Sequence, residues 1–160
     1  MALIGKAILQ LSGKHFLYRA GDNSGWTALG WKANSGWTAK PPTITYEDTY
    51  MNLHAGSYHS GIAYYSLKVD LTKYKEFGAH GTFLSYQVTG DGLYVFSAVD
   101  GSGLYPNKAV AQNQLGVATI TDSDVTLDIS SLSGEYYVAF GIARTGDGQS
   151  DFTMTEVWLK

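Results

Sequence analysis

The chain contains no cysteine, so neither a disulfide nor a thiolate metal site can hold it together, and small disulfide-stapled scaffolds are excluded. It has no apolar run fit to span a bilayer. The stretch Ala2 to Leu11 is interrupted by Lys6 and is shorter than the ~20 residues a transmembrane helix needs. With no basic start before it and no clear small-residue cleavage site after it, this stretch is not expected to be a signal peptide. It reads as a first strand or an arm lying on the domain or on a neighbouring subunit. Charge of one sign is also scarce: the formal net charge is −3, and the lysines are scattered, which gives no footprint for nucleic acid. Catalytic signatures are missing too. The four histidines, at 15, 54, 59 and 80, form no His-Glu-x-x-His helix, and no Gly-x-Ser-x-Gly elbow occurs. Ser57 and Ser60 beside His54 and His59 are a coincidence of a polar loop.

What the chain does have is aromatic residues and glycine: four tryptophans, twelve tyrosines, six phenylalanines and nineteen glycines among 160 residues. That mixture suits strands and tight turns. The length allows one domain with a real core. In Val125 to Ile129 and Tyr136 to Ile142 apolar residues recur at every second position, the period of a strand with one buried face. Further short strands are expected at Phe16–Ala20, Thr43–Tyr46, Thr49–Leu53, Phe83–Thr89, Leu93–Val99 and Gly116–Thr121. In another, Ala63, Tyr65, Leu67 and Val69 are expected to face inward. His54 to Gly61 reads as an exposed loop. Gly90-Asp91-Gly92 reads as a hairpin turn, and Asp122-Ser-Asp124 as the turn closing its strand.

Three local features refine this. Ser24-Gly-Trp-Thr-Ala28 recurs unchanged as Ser35-Gly-Trp-Thr-Ala39, a hairpin-like echo too short to be a solenoid. The strand endings Val69-Asp-Leu-Thr-Lys-Tyr74 and Leu127-Asp-Ile-Ser-Ser-Leu132 match in kind, each with an Asp placed to cap one helical turn, so Asp70 and Asp128 are capping groups rather than functional acids. In the last strand Phe152 and Met154 share one parity while Val157 and Leu159 share the other. A bulge near Thr155-Glu156 brings both pairs inward. About ten short strands must close their edges in a sandwich or barrel.

The order of a strand ending Val-Asp-Leu-Thr-x-Tyr, a hairpin, a strand ending Leu-Asp-Ile-Ser-x-Leu-Ser-Gly, a Tyr-Tyr-Val-Ala-Phe-Gly strand and a terminal Thr-Glu-Val-Trp-Leu resembles galactose-binding-like jelly rolls, the β-sandwiches of many carbohydrate-binding modules. Leu17-Tyr-Arg-Ala-Gly-Asp22 followed by Gly25-Trp26 is similar to jelly-roll domains of phage and prophage tail and baseplate proteins. The likeness covers residues 16 to 159, and fold alone does not give function. The resemblance implies an all-β, two-sheet antiparallel jelly-roll β-sandwich over residues 16–160, after an arm or first strand at 1–15.

It further implies a non-catalytic adhesion or carbohydrate-binding module, a tail-associated receptor-binding protein recognising a cell-surface glycan. Such a protein is made in the cytoplasm and reaches the virion or the outside by lysis. The alternative is a purely structural virion subunit assembling through its aromatic surface. A glycoside hydrolase ranks behind both for want of a catalytic signature, and stays open because the separation of its paired carboxylates is set by the fold and leaves no sequence spacing. Expected partners are the glycan and copies of itself, in a homotrimer, or other virion proteins, with no nucleic acid and no membrane insertion.

Sugar rings stack on aromatic faces, while their hydroxyls need planar polar partners. Trp31, Trp37, Tyr58, His59, Tyr105, Asn107 and Arg144 are the expected ligand contacts, most of them on loops. Arg144 is one of two arginines and opens a Gly-rich loop. Trp26 and Trp158 are expected to be structural. No cofactor is expected beyond a structural calcium ion, for which Asp22, Asp147, Asp151 and Glu156 supply hard oxygen ligands, although no EF-hand spacing is present.

Overall fold

The computed structural model describes residues 13–22, 31–35, 41–56, 60–86, 90–98, 108–143 and 149–160. They form twelve strands and one 3-10 turn: β1 (His15–Arg19), β2 (Trp31–Ser35), β3 (Thr43–Tyr46), β4 (Met51–Ala55), β5 (Ser60–Tyr65), β6 (Val69–Asp70), β7 (Glu76–Ser85), β8 (Gly92–Phe96), β9 (Ala111–Gln114), β10 (Ala118–Asp128), β11 (Glu135–Ala143) and β12 (Ser150–Leu159). The first sheet runs β10-β7-β12-β4-β3 and the second β2-β5-β11-β8-β9, with β1 added to β12 and β6 added to β11. Every pairing is antiparallel. The chain passes repeatedly from one sheet to the other, and consecutive strands pair as neighbours only at β3/β4 and β8/β9. This is the winding of a jelly-roll β-sandwich.

Aromatic rings bind the two sheets. The Phe140 ring of β11 lies 5.3 Å from Trp31, 5.6 Å from Phe77 and 6.5 Å from Phe152, so strands of both sheets meet around one side chain. Each such ring removes large apolar area from water, and edge-on pairs add about 0.5–1.5 kcal/mol. A second apolar cluster, Ile62, Tyr94, Phe96 and Ala139, is also buried, with Tyr64, Ala109 and Tyr137 packed against it. In β8 it alternates with Leu93 and Val95 of the main core, which buries that strand on both faces.

The last strand carries the bulge its parity demands. Pairing with β7 slips between Met154 and Glu156, and Phe152, Met154, Val157 and Leu159 all enter the main core. Past the bulge Trp158 takes the other face: its Nε1 donates to Glu76 Oε1 at 3.0 Å, and the Lys14 ammonium sits 3.5 Å from the ring centroid. A Cβ on Gly78 would lie 2.6 Å from the indole, so the ring rests directly on backbone. The two Asp caps are also in place, with Asp70 accepting from Thr72 N–H at 3.0 Å and Asp128 from Ser130 N–H at 2.8 Å.

Four local expectations are corrected. Gly90-Asp91-Gly92 does not close a hairpin, because β7 and β8 lie in different sheets. Asp91 is fully buried, and its Oδ2 accepts from Ser85 Oγ at 2.8 Å, Tyr86 N–H at 3.1 Å and Ser150 Oγ at 2.6 Å. The turn is therefore an inter-sheet corner pinned by one carboxylate. Asp122-Ser-Asp124 does not end its strand either. Asp122 adopts φ 45°, its N–H donates to Thr82 Oγ1 at 3.2 Å, and β10 continues through a bulge between Ile120 and Ser123. Leu67 is 63% exposed, because β5 stops at Tyr65. Finally, His54 and Ala55 belong to β4 and Ser60 and Gly61 to β5, so both ends of the expected loop are strand. The apolar arm over 1–12 and the Ser24–Ala28 copy of the repeat, Trp26 included, lie outside the described residues.

Candidate ligand-binding cleft

Where β1 runs off the first sheet, the chain turns through Ala20 and Gly21. The positive φ of Gly21, 74°, lets Asp22 N–H return to Arg19 O at 3.2 Å. The β3–β4 connection is the second wall, closed by Glu47 N–H donating to Tyr50 O at 2.9 Å. Between these two turns lies a cleft of about 330 Å³ lined by Tyr18, Arg19, Gly21, Asp22, Tyr46, Glu47 and Asp48.

Tyr18 forms its floor: it is only 4% exposed, and its ring centroid is 6.3 Å from that of Tyr46. Tyr46 is the exposed partner, at 41%. Burial, followed by the neighbouring Tyr46, pushes the Tyr18 hydroxyl up to about 12, so it remains a neutral O–H. Arg19 leans towards β12, with Nε 3.7 Å from Glu156 Oε1.

A shallower depression adjoins the cleft and shares Arg19 with it, lined also by Lys14, Ala20, His80, Asp124, Thr155 and Glu156. Its charges are paired internally. Lys14 Nζ lies 3.3 Å from Glu156 Oε2, and His80 donates from Nδ1 to Asp124 at 2.7 Å and from Nε2 to Asp122 at 3.1 Å. Two carboxylates on one ring require the imidazolium. The hydrogen bond to Asp124 is the largest cause of a raised His80 value; partial desolvation opposes it, and the bond to Asp122 adds to it.

A group raised above its unfolded value of 6.5 stabilises the fold fully below that pH and loses the contribution as pH rises through the folded value. His15 has the opposite sign: burial lowers it, so its contribution is present above 6.5 and is lost as pH falls through the folded value. An NMR titration should put the His80 midpoint above 6.5, and Asp124→Asn should bring it down. A wild-type midpoint at or below 6.5 would show that the two carboxylates do not hold the ring.

The expected ligand contacts are not gathered here. Trp31 is only 5% exposed and packs edge-on against Tyr65 at 5.8 Å, which makes its ring a core side chain and not a platform. Its Nε1 has no hydrogen-bond partner among the described residues. Trp37, Tyr58, His59, Tyr105, Asn107 and Arg144 lie outside the described residues. Of the acids assigned to calcium, Asp147 is also outside them. Asp22 lines the cleft, Asp151 binds His54 Nδ1 at 2.7 Å, and Glu156 joins Lys14 and Arg19. No three His, Asp or Glu side chains converge on a metal position among the described residues.

The His54–Asp151 pair has the form of a base and its orienting carboxylate, but no hydroxyl bonds Nε2 among the described residues. No described helix is long and apolar enough to cross a membrane. Tyr18, Arg19, Tyr46, Glu47 and Asp48 were not among the residues expected from sequence. The available signal was an aromatic residue followed by two acids in a tight turn between two strands.

No protein-family model matches the chain, and no curated protein matches it. Among solved structures it is similar to a family 29 carbohydrate-binding module from Piromyces equi, at 10% identity over 91% of this chain and 89% of that one, with a TM-score of 0.45.

Proposed function

We propose that the chain is a non-catalytic glycan-binding module whose ligand seats in the cleft between the β1 turn and the β3–β4 turn. The observation that carries this reading is the exposed Tyr46 ring set over the buried Tyr18, with a guanidinium and three carboxylates around them. A sugar needs an apolar face for its C–H surface and planar polar groups for its hydroxyls, on a scaffold that holds both in place. Display on a virion or release by lysis, as a receptor-binding protein, belongs to the same proposal. Tail or lysis genes beside this one would support that setting.

Titration calorimetry against the best hit of a glycan array tests the reading. Tyr46→Ala should weaken binding by about 2 kcal/mol, the scale of a central aromatic anchor, which is roughly thirtyfold in Kd. Unchanged affinity would move the site elsewhere. No glycan at all, together with a stable homo-oligomer by light scattering, would favour the structural subunit. Against that alternative, the exposed aromatics Tyr46 and Tyr86 do not form one patch. Tyr46 pairs with Met51 at the start of β4, whereas Tyr86 N–H bonds Ser150 Oγ, opposite Ala55 at its end.

A further inference from the structure

β10 lies at the edge of the first sheet, and its bulge between Ile120 and Ser123 contains one residue in an uncommon backbone state. Asp122 has φ 45°, in the left-handed region that a residue with a side chain keeps only when its surroundings hold it there. Its ties run to β7. The Asp122 N–H donates to Thr82 Oγ1 at 3.2 Å, and its carboxylate accepts from His80 Nε2 at 3.1 Å. The same ring donates from Nδ1 to Asp124 at 2.7 Å, the residue directly opposite His80 in the ladder. The two acids differ in setting: the Asp122 side chain is 86% exposed and that of Asp124 55%. From β12, Glu156 stands across from His80, but its carboxylate is engaged by Lys14 and Arg19 from the β1 side. Thr155 Oγ1 bonds the His80 carbonyl at 3.4 Å, and β7 itself carries no other charged residue between Phe77 and Ser85. The acids that engage the ring are therefore the two on β10.

We propose that His80 is a proton-operated clasp on the β10 bulge: the imidazolium holds Asp122 and Asp124 together against β7, and on losing a proton the ring keeps Asp124 and lets Asp122 go. A neutral imidazole has one N–H, so it donates to one carboxylate and turns a lone pair towards the other. The bond that survives is the shorter one, to the less exposed acid directly opposite. Nε2 gives its proton to solvent, and the Asp122 carboxylate then faces a lone pair. With that tie gone, the left-handed aspartate relaxes and the bulge loosens, while the ladder from Val125 to Asp128 is untouched. A bulge is one of the devices that keep an edge strand from pairing with another chain, so the clasp also sets how irregular this edge is. The sense follows from the pairing. The clasp is shut while His80 is protonated and opens as pH rises through its folded-state value, which the bond to Asp124 first, and that to Asp122 after it, hold above 6.5.

Backbone NMR of the full chain across the His80 titration tests this. The amide shifts of Thr82, Asp122 and Ser123 should follow the midpoint of the ring itself. Protection of the Asp122 amide against hydrogen exchange, corrected for the intrinsic effect of pH on exchange, should fall roughly tenfold above that midpoint, the scale of one hydrogen bond to a charged group. Amides from Val125 to Asp128 should keep their protection. Asp122→Asn supplies the contrast that a merely structural contact would not. Asparagine also tolerates the left-handed region, and its side chain accepts from the imidazolium through oxygen or donates to the neutral ring through nitrogen. The tie then survives on both sides of the titration, so the response of the bulge should vanish although His80 still titrates. Bulge amides that ignore the His80 midpoint in the wild type, or a response that persists unchanged in Asp122→Asn, would overturn the proposal. Shifts confined to Asp124 would overturn it too, because the ring would then have kept the other carboxylate.

Discussion

Asp91→Ala is expected to lower the unfolding free energy by about 3–5 kcal/mol, because one carboxylate oxygen holds three donors in a dry corner and charged hydrogen bonds contribute about 1.5–3 kcal/mol each without adding fully. The donors come from the end of β7 (Ser85), the residue after it (Tyr86) and the start of β12 (Ser150). Asp91 itself leads into β8 of the other sheet, and its own carbonyl accepts from Leu115 N–H at 2.9 Å. Truncation removes an acceptor that Ser85 and Ser150, 2% and 0% exposed, both use where water cannot take its place. Asp91→Asn separates the effects, since an amide oxygen can still accept from all three donors while the added NH2 needs a new acceptor. Urea unfolding should rank wild type above Asn and Asn above Ala. An Ala variant within about 1 kcal/mol of wild type, the scale of an ordinary surface change, would mean that the corner is held by packing alone.

That corner also shows where sequence reading stops. Gly90-Asp91-Gly92 has the local chemistry of a hairpin, and nothing within those three residues tells whether the next strand returns to the same sheet. The decision is made by Ser150 Oγ, 2.6 Å from Asp91 Oδ2 but far along the chain. Features whose cause is local were legible. The parity switch between Phe152/Met154 and Val157/Leu159 required a bulge, and the bulge is there. The two Asp caps follow from side chains reaching amides two residues ahead. Asp122 was misread because Asp-Ser-Asp suits a turn, whereas Thr82 and His80 on β7 hold it inside a continuing strand. The cleft was missed for the same reason as the corner. Tyr18 and Tyr46 belong to strands whose backbones are linked through β12 and β4, and each in isolation is an ordinary strand tyrosine. Asp22 was singled out for its oxygen ligands, and it shares the cleft with Glu47 and Asp48 as well as an arginine and two tyrosines, but no three such donors converge on a metal position among the described residues.

Gly141→Ala is expected to destabilise by about 3 kcal/mol or more, at the top of the range for overpacking a filled interior. The position is central to the second sheet, paired with Ile62 of β5 on one side and Gly92 of β8 on the other. A Cβ there would lie 2.2 Å from Gly90 O and 2.4 Å from Tyr94 Cε2. Neither neighbour can give way cheaply. Gly90 O belongs to the corner anchored by Asp91, and Tyr94 is fully buried and stacks on Phe96 at 5.9 Å. Gly78→Ala provides the comparison, since its Cβ would meet the Trp158 indole at 2.6 Å, a side chain that can tilt if it gives up its bond to Glu76. Thermal unfolding should therefore rank Gly141→Ala below Gly78→Ala, and both below wild type. The reverse order would mean that the corner yields more readily than the indole. The Asp91→Ala/Gly141→Ala double variant then probes the coupling. If Gly90 O resists because Asp91 pins it, the second substitution should cost less in the Asp91→Ala background than alone, by more than the ~0.5 kcal/mol within which independent sites add.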